Sequence, residues 1–139
     1  MNAKPDIRTH TTDPLDQARE LLDRSERTPT LEALAHEVGL SGAWLQRSFR
    51  QRFGVSPAEY ARARRFGAFK QALRGGAAVT DAVYAAGFGS GSRVYEHSDR
   101  LLGMPPERYR EGGAGVAIRY TTVASPLGRV LIAATARGL

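Results

Sequence analysis

The chain has no cysteine. That absence excludes disulfides, thiolate metal sites and cysteine nucleophiles together. Histidine is scarce: His10, His36 and His97 stand far apart, without the spacing of metal ligands. No run of apolar residues approaches the ~20 needed to span a bilayer, and the first residues lack the apolar core of a signal peptide. The expectation is a soluble cytoplasmic protein with no metal and no cofactor. Lysine is almost missing, with Lys4 and Lys70 the two examples among 20 basic residues. The arginines that replace it suit bidentate contacts to bases and phosphates, although a GC-rich genome would favour arginine as well.

The positive charge is unevenly placed. The net charge is +6, and residues 30–75 hold eight basic and three acidic side chains. A local basic patch of this kind is the footprint of a nucleic-acid binder. With 139 residues the chain can form one domain with a real core or two very small ones.

The stretch Ser41 to Phe53 organises the rest. Read as a helix, it places Leu45, Phe49 and Phe53 at i, i+4, i+8, with Ser48 and Arg52 beside them. Ala43, Gln46, Arg47 and Arg50 fall on another stripe, which carries an amide suited to adenine and guanidinium groups suited to guanine or phosphate. Leu31 to Val38 is a short apolar-periodic helix, followed by Gly39-Leu40. Helix, glycine turn and basic second helix is the pattern of a helix-turn-helix. An amphipathic helical hairpin with a solvated charged face would show the same local periodicity.

Flanking signals set the boundaries. Residues 1–12 are polar and expected to be disordered. Asp13-Pro14 starts a helix that stops near Ser25, with Leu15, Ala18, Leu21 and Leu22 on one face. Thr30 caps the next helix. Gly54 ends the Ser41 helix, and Ser56-Pro57 starts a long one running to about Arg74, roughly 27 Å at 1.5 Å per residue. Gly75-Gly76 closes it.

The pattern then returns. Val79 to Phe88 echoes Leu31 to Leu40, with Gly87 where Gly39 stood, and Gly103 to Tyr109 mirrors Gly54 to Tyr60. Two copies separated by a long helix suggest tandem helix-turn-helix units, at about 31–53 and 79–102, joined by a linker helix over about 57–74. Glu111 to Gly115 is a hinge by composition. Val116 to Tyr120 and Val130 to Ala133, around a Ser125-Pro-Leu-Gly128 turn, read as a β-hairpin. A lone hairpin is marginal in water, so residues 113–139 look like the opening of a further domain.

Residues 13–112 resemble the DNA-binding domain of the AraC/XylS class of transcription activators. The resemblance rests on Leu31…Leu34-Ala35…Gly39-Leu40-Ser41, on Phe49…Phe53-Gly54-Val55-Ser56-Pro57…Tyr60, and on Ala86-Gly87-Phe88…Gly103-Met104-Pro105-Pro106…Tyr109. It implies an all-α domain of seven helices, with two helix-turn-helix units whose recognition helices enter successive major grooves. It implies double-stranded promoter DNA as the partner, binding as a monomer without a membrane, and RNA polymerase as a second partner of an activator.

The tail resembles the first hairpin of the methylated-DNA cysteine alkyltransferases, through Val116-Ala117-Ile118-Arg119-Tyr120, Ser125-Pro126-Leu127-Gly128 and Leu131-Ile132-Ala133. An AraC-type domain running into that hairpin is the arrangement of regulators of the response to alkylation damage. Their chemistry needs a thiolate, so this cysteine-free chain is not expected to be an enzyme. A helical protein that binds nucleic acid without sequence preference is the other alternative, and Gln46 and Arg47 on the outer face argue against it.

By the resemblance, Gln46 and Arg47 match base-reading positions. Arg50 contacts phosphate or the helix's own surroundings. Trp44 either stacks on sugar or a thymine methyl or packs at the helix start. Ser41 and Ser90 are N-caps whose first-turn N–H groups can hold a phosphate. Ala43 and Ser92 lie on the two recognition faces, and Arg93 is the best base or phosphate contact of the second unit. Arg62, Arg64 and Arg65 on the linker helix are solvated charges, phosphate approach groups or a polymerase contact. The family usually has an aromatic where Ser98 stands, so the second core is expected to be weaker by about 1–3 kcal/mol, and the first unit to do most of the reading.

Overall fold

The computed structural model describes residues 13–88 and 98–138. The chain forms two compact units, Met1–Arg62 and Ala63–Leu139. Residues 1–12, expected to be disordered, lie outside the described residues, as do 89–97 and Leu139.

The first unit is built on α1 (Pro14–Arg24), α2 (Leu31–Glu37), α3 (Gly42–Phe53) and the opening of α4 (Pro57–Arg74). Each start has a local cause. Asp13 Oδ1 accepts the Leu15 N–H at 2.8 Å, and Pro14 occupies the first helical position. Thr30 Oγ1 accepts the Ala33 N–H at 3.1 Å. Ser41 Oγ accepts the Trp44 N–H at 3.3 Å. At α4 the cap is reciprocal: Glu59 Oε2 accepts the Ser56 N–H at 2.7 Å while Ser56 Oγ accepts the Glu59 N–H at 3.3 Å. The helices bury one core of Leu15, Ala18, Leu22, Leu34, Ala35, Val38, Leu45, Phe49 and Ala61. Each fully buried Leu or Phe stabilises it by about 1.5–3 kcal/mol.

The second unit repeats this plan. It contains the rest of α4, α5 (Val79–Ala85), α6 (Pro106–Arg110) and an antiparallel hairpin, β1 (Arg119–Ser125) with β2 (Gly128–Ala134). Phe69, Leu73, Val79, Ala82, Val83, Ala86, Leu102 and Met104 form its core. Six helices thus have defined bounds among the described residues, against the seven expected; residues 98–102 are also helical and adjoin the segment that is not described.

The internal repeat is physical as well as textual. At the end of α2 the Leu40 N–H donates to Ala35 O at 2.9 Å and the Gly39 N–H to His36 O at 3.2 Å. At the end of α5 the Phe88 N–H donates to Val83 O at 3.2 Å and the Gly87 N–H to Tyr84 O at 2.9 Å. Both are the paired bonds of a glycine helix stop. Gly39 and Gly87 have φ of 70° and 74°, which a side chain would disfavour. The copies also differ. Thr30 caps α2 with its side chain, whereas Ala78 gives α5 no side-chain cap.

Beyond α6 the glycine-rich stretch 111–115, expected as a hinge, is a series of hydrogen-bonded turns, with the Gly113 N–H donating to Arg108 O at 2.7 Å and the Val116 N–H to Gly113 O at 3.0 Å. The first strand begins at Arg119 rather than Val116 and includes Thr121 to Ser125. Pairing from Arg119↔Ala134 to Ser125↔Gly128 leaves Pro126-Leu127 as a two-residue turn. Thr135 Oγ1 donates to Gly103 O, and Arg137 pairs with Asp99, so the end of the hairpin is tied to the helical part of its unit. The strand residues remain mostly exposed, Tyr120 and Leu131 most of all among the large apolar ones, and Leu127 in the turn is almost fully exposed.

Candidate nucleic-acid interface

Helix α3 sorts its residues by packing. Leu45 and Phe49 are fully buried, and Phe49 packs against the tilted ring of Phe53 (centroids 4.5 Å apart) and in an edge-to-face pair with Tyr60 (5.8 Å). With that stripe buried, the opposite side must face outward. Ser41, Ala43, Trp44, Gln46, Arg47 and Arg50 are all exposed. The six expected contacts of the first unit therefore share one accessible helix and its cap. Ser90, Ser92 and Arg93, their expected counterparts, lie outside the described residues.

Three positions acquire detail that periodicity did not carry. Trp44 keeps 44% of its surface, at the exposed first turn of α3. Gln46 borders a small cavity of about 130 Å³, lined also by Leu22, Leu31, Leu34 and Pro57, so it sits at the margin of the outer face. Arg50 lies close enough to Glu59 to help hold that carboxyl below its ordinary value, behind the larger effects of the Ser56 N–H and hydroxyl.

By periodicity Arg52 lies beside the apolar stripe of α3, and no partner for it follows from spacing. Its guanidinium forks onto two carboxylates at the start of α1, Nη1 to Oδ2 of the N-cap Asp13 and Nη2 to Asp16 Oδ2, each at 2.7 Å. The last turn of α3 is thereby fastened to the first turn of α1. The signal in the sequence was an arginine on an inward stripe 36 residues after an acidic first turn, which periodicity alone cannot pair.

On the linker helix the three arginines separate. Arg62 and Arg64 are exposed. Arg65 is not a freely solvated charge: its guanidinium lies 5.4 Å over the Phe88 ring and its Nε is buried without a hydrogen-bond partner. It is a packing residue of the second unit. His36 is exposed. Ser98 is 1% exposed, at the register of Phe49 in the repeat.

No group of three or more His, Asp or Glu residues able to hold a metal occurs among the described residues. No helix there is long and apolar enough to cross a membrane.

The profile of a helix-turn-helix domain family matches residues 34–112. The chain belongs to the AraC-type helix-turn-helix family. The match begins within α2 and ends just past α6, and so takes in both copies of the repeat. Among curated proteins the chain is similar to the bifunctional transcriptional activator/DNA repair enzyme Ada of Escherichia coli strain K12, with 35% identity over 136 residues. It is also similar to the regulatory protein ada of Salmonella typhimurium, with 37% identity over 115 residues. These alignments take in 98% and 82% of this chain but 38% and 33% of the relatives. The chain spans between a third and two fifths of the length of the curated relatives it matches. No solved structure matches it.

Proposed function

We propose that the chain is the DNA-binding segment of an Ada-like transcription activator, and that α3 reads sequence in the major groove of double-stranded promoter DNA. The observation that carries this reading is the outer face of α3. Ala43, Gln46, Arg47 and Arg50 are exposed together on a helix with no acidic residue in its first turn. Gln46 and Arg47 supply bidentate donors and acceptors for base edges. Ser41, Trp44 and the first-turn N–H groups approach the backbone. The similarity to a protein described as a transcriptional activator supports the same direction. Ser90, Ser92 and Arg93 act as lesser contacts of the second unit.

In this reading the segment works in the cytoplasm, binds as a monomer, and presents RNA polymerase with an accessible surface once seated. Residues 113–139 are the start of an alkyltransferase-like domain, and the exposed strands of the hairpin support that view. The segment is not itself an alkyltransferase, because the thiolate that accepts the alkyl group has no source in this chain.

Salt-dependent binding to promoter-region and random duplexes tests the proposal. Sequence-selective binding whose affinity falls steeply with salt is the expected result, with a log–log slope near −0.9 for each phosphate neutralised. Equal affinity for both duplexes would leave a basic helical protein without a reading function.

A further inference from the structure

The two copies of the repeat differ in sign at one place behind their cores. In the first unit, α1 presents Leu15, Ala18 and Leu22 to the core; in the second, α4 presents Phe66, Phe69 and Leu73 with the same i, i+3, i+7 spacing. Carried along that register, Arg19 corresponds to Lys70 and Asp23 to Arg74. Tyr60 corresponds to Tyr109, as the bonds Tyr60 N–H to Ser56 O at 2.9 Å and Tyr109 N–H to Pro105 O at 3.0 Å show.

In the first unit the niche is closed by its own carboxylate. Tyr60 OH donates to Asp23 Oδ1 at 3.0 Å, and Arg19 Nη1 lies 3.3 Å from Asp23 Oδ2. The Arg19 guanidinium is held further in its charged form, first by its hydrogen bond with Tyr60. In the second unit the acid has become Arg74. Lys70 Nζ and the Arg74 guanidinium lie 5.9 Å and 5.6 Å from the Tyr109 ring centroid. The Tyr109 hydroxyl is buried with no hydrogen-bond partner, which is costly for a buried donor. The nearby Glu111 is already paired with Arg108 at 3.4 Å.

We propose that Tyr109, Lys70 and Arg74 form a receptor for a carboxylate presented by an acidic segment of another protein. The chemistry is that of the first unit with the acid removed: a phenol donor and two cations around a place that holds a carboxylate in the other copy. Arg74 is exposed and its guanidinium lies 5.6 Å from the Tyr109 ring centroid, so an acid that pairs with it comes to the margin of the same ring. A DNA phosphate fits the position less well. In the first unit Tyr60 packs against Phe49, on the buried stripe of α3 and not on the outer face of Ala43, Arg47 and Arg50. The proposal is independent of which DNA sequence, if any, α3 reads.

The test uses the full chain and a hexaglutamate peptide, with hexaglutamine, inorganic phosphate and a random duplex as comparisons. Side-chain and ring NMR signals of Lys70, Arg74 and Tyr109 are followed. Hexaglutamate is expected to shift all three. Arg74→Asp, which restores the acid of the first unit, is expected to weaken peptide binding at least tenfold, and Lys70→Gln gives a milder loss without reversing charge. Tyr109→Phe, which removes an unsatisfied buried donor, is expected to raise the unfolding midpoint or hold it, never to lower it, while lowering peptide affinity on the order of fivefold, the effect of one hydrogen bond. Tyr60→Phe, which loses a bond already made, is expected to lower the unfolding midpoint. Unaltered peptide binding in Arg74→Asp would overturn the proposal. So would equal shifts with inorganic phosphate, or shifts produced by duplex and not by peptide.

Discussion

Arg52 and Asp13 meet at 2.7 Å through Nη1 and Oδ2, and the other oxygen of the same carboxylate caps α1. One aspartate therefore starts α1 and fastens α3 to it. Both side chains are about two-fifths exposed, so solvent screens the pair and its worth is modest. Arg52→Gln is expected to lower stability by about 1 kcal/mol. Asp13→Ala is expected to cost more, since it also removes an N-cap worth about 1 kcal/mol. Urea unfolding of the two variants measures both, and the reverse order would separate the cap from the ion pair.

Arg47→Ala is expected to narrow the gap in affinity between matched and scrambled duplexes, by about 1–3 kcal/mol for a lost bidentate base contact. Arg64→Ala is expected to weaken both duplexes alike or leave them unchanged. Competition binding distinguishes these outcomes. Equal losses on both duplexes for Arg47→Ala would make it a phosphate contact.

The second unit lacks two supports of the first, the side-chain cap at Thr30 and the aromatic at Phe49. Ala78→Asp supplies a cap at an extended residue already placed for it and is expected to add about 1 kcal/mol. Phe49→Ala is expected to cost about 3–5 kcal/mol, against about 1 kcal/mol for Ser98→Ala, where a buried hydroxyl is lost. Amide hydrogen exchange of the unmodified chain should be faster in α5 than in α2. Slower exchange in α5 would show that other packing outweighs the missing cap and ring.

Glu59 supplies the pH dependence. Its carboxyl is held below the ordinary value of 4.5 by the Ser56 N–H and then its hydroxyl, with Arg50 and Arg62 adding. Because the folded value is the lower one, the stabilisation is complete above 4.5 and is lost as pH falls through the folded value. Glu59→Gln should therefore be less stable than the unmodified chain at neutral pH, and the difference should shrink under acid conditions. Denaturation series at pH values on both sides of 4.5 check this; a gap that stays constant would remove the charge of Glu59 from the account.

Local chemistry decided much of this molecule before any tertiary contact. Asp13-Pro14, Thr30, Ser41 and Ser56-Pro57 start helices because their side chains or rings satisfy or replace first-turn N–H groups. Gly39, Gly54 and Gly87 end structure at positive φ because no Cβ opposes it. The inward stripe of Leu45 and Phe49 follows from helical periodicity, and with it the outward place of Ala43, Arg47 and Arg50. Those features depend on residues a few positions apart, so they are legible in the chain. The fork of Arg52 onto α1, the stacking of Arg65 on Phe88, the cavity beside Gln46 and the unpaired hydroxyl of Tyr109 were not. Each joins side chains distant in sequence, and which partners meet depends on how helices pack, on burial, and on which charges remain unsatisfied once the cores have closed.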